Sequence, residues 1–225
     1  MRIRQLTAAG TVAAATLLLS ACGGSPLDGK DGQEVADAAA DALEEAGSVH
    51  MAGDMEQDGE TGSVDLHLQG EDAIGTITFS GAELQLLSVD GKAYVQGEPD
   101  FWTSFGLPEE AASIFEGKWV ILPDDASSDF EDFSLAGIVD SLRNPESDVK
   151  KDVTEDEVDG KDVVVVEQED GSKLSVANDE PAYPLSLTNK GDSAGTLTFS
   201  RFGEKEDISV PDDALDLDEL AGGGS

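Results

Sequence analysis

The chain has 225 residues, of which 49 are Asp or Glu and 13 are Lys or Arg, giving a formal net charge of −36. That balance excludes electrostatic nucleic-acid binding, which depends on Lys and Arg neutralising phosphates. It also excludes docking on anionic headgroups through a basic patch.

Arg2 and Arg4 precede an apolar run from Leu6 to Leu19, and small residues follow it. This is the layout of a secretion signal. The run is about 14 residues, short of the roughly 20 that a spanning helix needs. It leads into Leu19-Ser20-Ala21-Cys22, and Cys22 is the only cysteine. The tetrad resembles the bacterial lipobox, in which the signal is cut between Ala21 and Cys22 and the cysteine sulfur receives a diacylglycerol. Residues 1–21 are therefore read as a lipoprotein signal peptide and Cys22 as the lipidated N-terminus of the mature chain. One acyl chain holds a protein only marginally, and each buried methylene adds about 0.8 kcal/mol, so two or three chains make the anchor stable. The expected location is the extracytoplasmic face of the cell membrane, with the membrane contacted through the acyl anchor on Cys22. A single cysteine leaves no internal disulfide and no thiolate metal site.

Loss of Arg2 and Arg4 leaves 11 bases against 49 acids, a charge of −38. The acids are spread along the whole chain, as on a solvated, self-repelling surface. No stretch follows the calcium-loop pattern D-x-[DN]-x-[DN]-G. The densest group, Asp124 to Asp132, lacks the turn glycine, which leaves weak divalent-ion binding as its one cation chemistry.

Residues 22–30 have the Gly, Ser and Asp content of a flexible tether. Residues 31–46 read as a helix, with Asp31 and Glu34 placed as a capping box and Gly47 as the stop. Val35, Ala38, Ala39, Ala42, Leu43 and Ala46 form a thin apolar stripe suited to close packing on a sheet. The period then changes to two. Short alternating segments run from Val49 to Gln96, separated by Gly70, Gly81 and Asp90-Gly91, and predict an antiparallel meander. Residues 99–143 break that rhythm with two short helices, at 108–115 and 134–142, around a strand at 118–122. Strands resume from Val149 to Val210, with turns at Gly160 and Asp170-Gly171. The chain from Asp212 to Ser225 reads as an acidic, loosely ordered tail.

The fold class that follows is α+β: a strongly curved, half-open antiparallel β-sheet of about 11 strands, since a sheet that long curls. An N-terminal helix and short helices lie over its concave face. Residues 31–211 form that single domain.

Gly191-Asp-Ser193-Ala-Gly195 matches the nucleophile-elbow pattern. That elbow needs a helix after it and a later histidine. Here a strand-like Thr-Leu-Thr-Phe follows, and His50 and His67 both lie upstream. The motif is read as a hairpin turn, the protein as a non-enzyme, and no cofactor or metal is expected. The aromatics carry more information. Eight of the twelve fall between Tyr94 and Phe133. Tyr94, Phe101, Trp102, Phe105, Phe115 and Trp119 lie on the segment placed over the trough. Packed into it, they complete a core; lining it, they form a cavity wall or lid for an apolar ligand, since such sites are largely apolar and aromatic.

The lipobox, the N-terminal helix, Asp90-Gly91-Lys92-Ala93-Tyr94-Val95, Gly117-Lys118-Trp119-Val120 and Val158-Asp159-Gly160 before a valine-rich strand together resemble actinobacterial lipoproteins of the LppX/LprAFG type. These are similar in turn to the LolA/LolB lipoprotein-carrier fold. The resemblance implies a half-open curved sheet with helices over its concave face. Some members of the family carry lipids or glycolipids there, without catalytic residues. The only position carried over is the acylated cysteine, Cys22. The functional expectation is a lipoprotein that binds a hydrophobic ligand, a lipid or glycolipid, in the trough. The alternative is an envelope interaction or sensory lipoprotein with a filled core, acting on an unidentified protein or cationic partner through its acidic surface. The high negative charge of this chain departs from the family and weighs against active lipid shuttling.

Overall fold

The computed structural model describes residues 25–57, 60–79, 81–104, 106–127, 130, 133–190 and 193–217. Residues 25–30, expected as part of a flexible tether, form a turn docked on the body. Leu27 is buried in the main core, and the Ser25 hydroxyl donates to the Asn178 carbonyl. One apolar side chain in a Gly-Asp-rich stretch is enough to seat it.

Helix α1 (Gly32–Ala46) starts and stops where its caps dictate. The Asp31 carboxylate accepts from the Glu34 N–H, the Glu34 carboxylate accepts from the Asp31 N–H, and Gly47 takes a left-handed φ of 70°. Val35, Ala39 and Leu43 are buried as the stripe predicts. Ala36 and Ala40 are buried too, while Ala38, Ala42 and Ala46 are only half-buried. The buried face is turned because a second helix, α5 (Leu135–Arg143), packs along that flank. Alanines there let the two helix backbones approach closely.

The strands are β1 (Ser48–Gln57), β2 (Glu60–Gln69), β3 (Asp72–Phe79), β4 (Ala82–Val89), β5 (Lys92–Gly97), β6 (Val120–Ile121), β7 (Thr154–Val158), β8 (Lys161–Glu167), β9 (Lys173–Ala177), β10 (Pro184–Asn189), β11 (Ser193–Ser200) and β12 (Leu215–Asp216). They form one sheet in the order β12-β6-β5-β4-β3-β2-β1-β11-β10-β9-β8-β7. Every pair is antiparallel except β12 with β6. The sheet is open, with β7 and β12 at its two edges. β7 exposes Glu155, Asp156 and Glu157, charges that oppose pairing with another strand. Asp90-Gly91 and Asp159-Gly160 supply the paired left-handed residues that a tight hairpin turn requires.

Glycines within the sheet permit close approach of neighbouring strands. Gly75 on β3 and Gly195 on β11 sit mid-ladder, opposite Leu66 and Met55. A Cβ at Gly75 would run into the Asp65 carbonyl, and one at Gly195 into the Asp54 carbonyl. These two glycines open the near-identical stretches Gly-Thr-Ile-Thr-Phe and Gly-Thr-Leu-Thr-Phe, on the two strands that flank the β1–β2 pair.

The concave face carries the main core, running from Val95, Leu86, Leu66 and Met51 to Val176 and Val164. Between β5 and β7 the chain forms α2 (Pro99–Ser104), α3 (Glu109–Phe115), α4 (Asp124–Ser127) and α5, two helices more than expected. The convex face has a smaller cluster of Leu87, Val89 and Tyr94, with Trp119 and Ile121 against it.

After β11 the chain crosses the convex face as a strap. The Ser48 hydroxyl donates to the Glu204 carbonyl at 2.6 Å, and the Glu206 N–H donates to Gln69 Oε1 at 3.3 Å. Ile208 and Ala214 pack on the convex cluster, and the Leu215 N–H donates to the Trp119 carbonyl. The expected strand at 208–210 is therefore irregular. Within the expected loose tail, Leu215 and Asp216 pair with β6. Ala214 packs on the convex cluster, while Leu215 and Leu217 pack on the main core, and these contacts hold what composition alone marks as solvated.

Candidate functional site

The aromatic segment separates into two groups on opposite faces of the sheet. Phe101 and Trp102 on α2 and Phe115 on α3 pack together under the concave face, with ring centroids 5.0 and 5.2 Å apart. All three are at most 6% exposed, and Trp102 Nε1–H donates to the Gly97 carbonyl at 3.2 Å. Gly97 has no side chain because the Phe101 ring occupies that space. Tyr94 and Trp119 lie on the convex side under the strap. On β5, Ala93 and Val95 face the main core, so Tyr94 faces away by strand alternation. Phe105, Ala21 and Cys22 lie outside the described residues.

The cavity lies elsewhere. A half-enclosed space of about 540 Å³ opens between α1, α5 and strands β8 to β11. Its floor is Val166, Leu174, Leu187 and Leu197, the inward residues of four adjacent strands. Its roof is Ala36 on α1 with Ile138 and Leu142 on α5. Its mouth is polar and built from three segments: Asn144 to Glu146 after α5, Gln168 to Ser172 between β8 and β9, and Asn189-Lys190 at the end of β10.

Ser172 joins two of those segments. It is 3% exposed; its hydroxyl accepts from the Lys190 N–H at 3.0 Å and donates to Asp170 Oδ2 at 2.8 Å. The Ser172 N–H also donates to Asp170 Oδ1 at 2.9 Å. These two donors, the backbone one foremost, hold the Asp170 carboxyl below the usual carboxylate range. The roof is tied by Arg143, whose guanidinium reaches Glu44 Oε2 at 2.6 Å and Asp41 Oδ1 at 2.7 Å on α1. Glu44 first, then Asp41, raises its pKa further. Pro145 ends α5 at the mouth, so the helix delivers Asn144 and Glu146 there.

The tether leaves from the other end. Ser25 bonds to Asn178, just past the end of β9, while the mouth lies at Ser172, just before its start. Six residue steps along β9, from Ser172 to Asn178, place them about 20 Å apart.

The motif serine, Ser193, begins β11 opposite Gln57, and a strand follows it. His50 pairs with Ser200 at the far end of that strand, about 24 Å away along it. His50 sits on the convex face between Asp65, 2.8 Å from Nε2, and Ser200, 3.3 Å from Nδ1. His67, opposite it on β2, is 3% exposed beneath the strap, its Nδ1 4.0 Å from Glu206 Oε1. Among the described residues, no three His, Asp or Glu side chains converge as metal ligands would.

Of the two readings of the aromatic segment, core or cavity wall, Phe101, Trp102 and Phe115 take the first; the cavity is lined by Ala36, Ile138 and ordinary Val and Leu, most of them from the second half of the chain. Those residues carry no compositional signal. The one legible sign was the Asp170-Gly171 turn, which reads as a turn whether or not it rims a site.

The sequence matches no family model and no curated protein. Solved structures do match. LprF from Mycobacterium bovis is similar with a TM-score of 0.50 at 15% identity, over 80% of this chain and 96% of that one. The lipoprotein LppX from Mycobacterium tuberculosis is similar with a TM-score of 0.51 at 14% identity, over 79% of this chain and 98% of that one. The likeness is one of fold: this chain has the LppX/LprF-type curved sheet, as the resemblance implied.

Proposed function

We propose that this protein is a lipid-anchored, extracytoplasmic lipoprotein that holds a hydrophobic ligand, a lipid or glycolipid, without chemistry, in the trough beneath α1 and α5. The observation that carries the reading is the 540 Å³ cavity with its apolar floor and polar mouth. Its volume falls within the usual range of small-molecule sites, about 300–1,000 Å³, and graded polarity of this kind suits an amphiphile. The proposal includes no catalytic step; the Ser172 hydroxyl at the mouth is 3% exposed and held between Asp170 and the Lys190 N–H. The anchor is Cys22, by the lipobox.

Native mass spectrometry of residues 25–225, which contain the whole described fold, tests the ligand. The protein is produced in a host of its own type and extracted gently. A co-purifying mass that disappears on delipidation is expected; a clean apoprotein, unchanged after incubation with host lipids, overturns the reading. Mass analysis of the N-terminal peptide tests the anchor, with a diacylglyceryl adduct on Cys22 expected and its absence in Cys22→Ser.

A second reading has one observation in its favour. The packed Phe101, Trp102 and Phe115 fill the other half of the trough, as in an interaction lipoprotein that works through its acidic surface. A clean apoprotein would leave that reading standing.

A further inference from the structure

We infer that the cargo is a single-chain amphiphile whose head carries no net negative charge. This rests on the ligand-binding reading above and narrows it to one chemical class.

Space sets the number of chains. A methylene occupies about as much room as a water molecule, whose share of liquid volume is about 30 Å³. A cavity of 540 Å³ holds about 18 such groups, one long acyl chain. A second chain would need as much room again. The trough does not continue into that room, because Phe101, Trp102 and Phe115 already occupy the concave side next to β4 and β5.

The position of the mouth points the same way. The mouth opens about 20 Å from Ser25. Only Gly23 and Gly24 separate Ser25 from Cys22, three residue steps with a reach of about 10 Å. An anchor on Cys22 therefore holds the Ser25 end against the membrane and turns the mouth away from it. Cargo must arrive through water. A single acyl chain binds membranes marginally and reversibly, whereas two chains stay put, so single-chain lipids are the ones that make that crossing.

Charge sets the head. The mouth carries Glu146 and Asp170 against Lys190, and Asp170 is kept ionised by Ser172. Around it lies a mature chain of 11 bases and 49 acids, net charge −38. An anionic head would sit within a Debye length, about 8 Å at physiological salt, of net negative charge. Asn144, Gln168 and Asn189 offer amide donors and acceptors suited to hydroxyl or zwitterionic heads.

The test is native mass spectrometry of residues 25–225, delipidated and titrated with four probes of matched chain length: monoacylglycerol, lysophosphatidylcholine, lysophosphatidylglycerol and dipalmitoylphosphatidylcholine. The expected result is one-to-one complexes with the first two and at least about tenfold weaker binding of the anionic lysolipid. The two-chain lipid should not bind. Leu187→Trp and Ile138→Trp, which fill the cavity from floor and roof, should each abolish binding while keeping the wild-type melting temperature within a few degrees; two variants guard against one misfolding. Saturable, cavity-dependent binding of the two-chain lipid, or equal binding of the anionic lysolipid, overturns this inference and leaves the lipid-binding reading intact. No binding of any probe, with none lost on delipidation of native material, overturns both.

Discussion

The two halves of the trough are built from one sheet and treated oppositely. Next to β4 and β5, α2 and α3 press Phe101, Trp102 and Phe115 into the concave face, and the space is filled. Next to β8 to β11, α1 and α5 span the same face with alanines, Ile138 and Leu142, and about 540 Å³ is left open. The difference lies in the size of the side chains the helices present. Aromatic rings bury large areas and close a gap; alanine allows a helix to come near without filling what lies beyond it. A cavity of this kind is left where large side chains are withheld, while the aromatics pack the core at the other end.

Substitutions at the two ends should therefore diverge. Trp102→Ala removes a ring packed on two neighbours and its hydrogen bond to the Gly97 carbonyl, and should cost about 3–5 kcal/mol in urea unfolding. Ligand stoichiometry by native mass spectrometry should be unchanged in the protein that remains folded. Equal loss of binding would mean that the halves are not independent. Leu174→Ala, at the cavity floor, should cost only about 2 kcal/mol, the low end for such truncations, because part of its surface already faces open space. The same variant should accept a longer acyl chain. Ser172→Ala should cost about 1 kcal/mol. It unlinks the β8–β9 turn from Lys190, so ligand release measured by stopped flow should be faster.

Smaller effects come from the exposed charges. Arg143→Ala should loosen α5 on α1 with a slight fall in midpoint, and raising the salt should erase the difference, since exposed pairs are screened. Protection of α5 amides from hydrogen exchange is the readout. The smallest effect is that of pH. Ser172 stabilises the charged form of Asp170, and Lys150 does the same for Glu167, so both carboxyls titrate below their ordinary values when folded. Their contribution is complete above the ordinary carboxylate range, about 3.9 to 4.3. It is lost as the pH falls through the lower folded values. The difference in urea midpoint between wild type and Asp170→Asn should therefore shrink in acid below about pH 4. A difference that grows there would contradict the Ser172 contacts.

Much of the architecture follows from local sequence, because its causes are local. Asp31, Glu34 and Gly47 cap α1 through bonds within four residues. Asp90-Gly91 and Asp159-Gly160 turn hairpins because those positions tolerate left-handed backbone. The alternation of Val64, Leu66 and Leu68 predicts one buried face, and that face is buried. The secretion signal and lipobox reading of Cys22 also comes from sequence alone.

Other features depend on partners distant in the chain. Whether Tyr94 and Trp102 share a face depends on how β5 is oriented and on which side α2 folds. Ile208 becomes a strap contact rather than a strand because Leu87 and Tyr94, more than a hundred residues earlier, present an apolar surface. Ala36 becomes a cavity roof because α5 packs beside α1. A void has no residue of its own, so composition and periodicity do not mark it. It exists only as the distance that Leu174 and Leu187 below, and Ile138 and Leu142 above, fail to bridge.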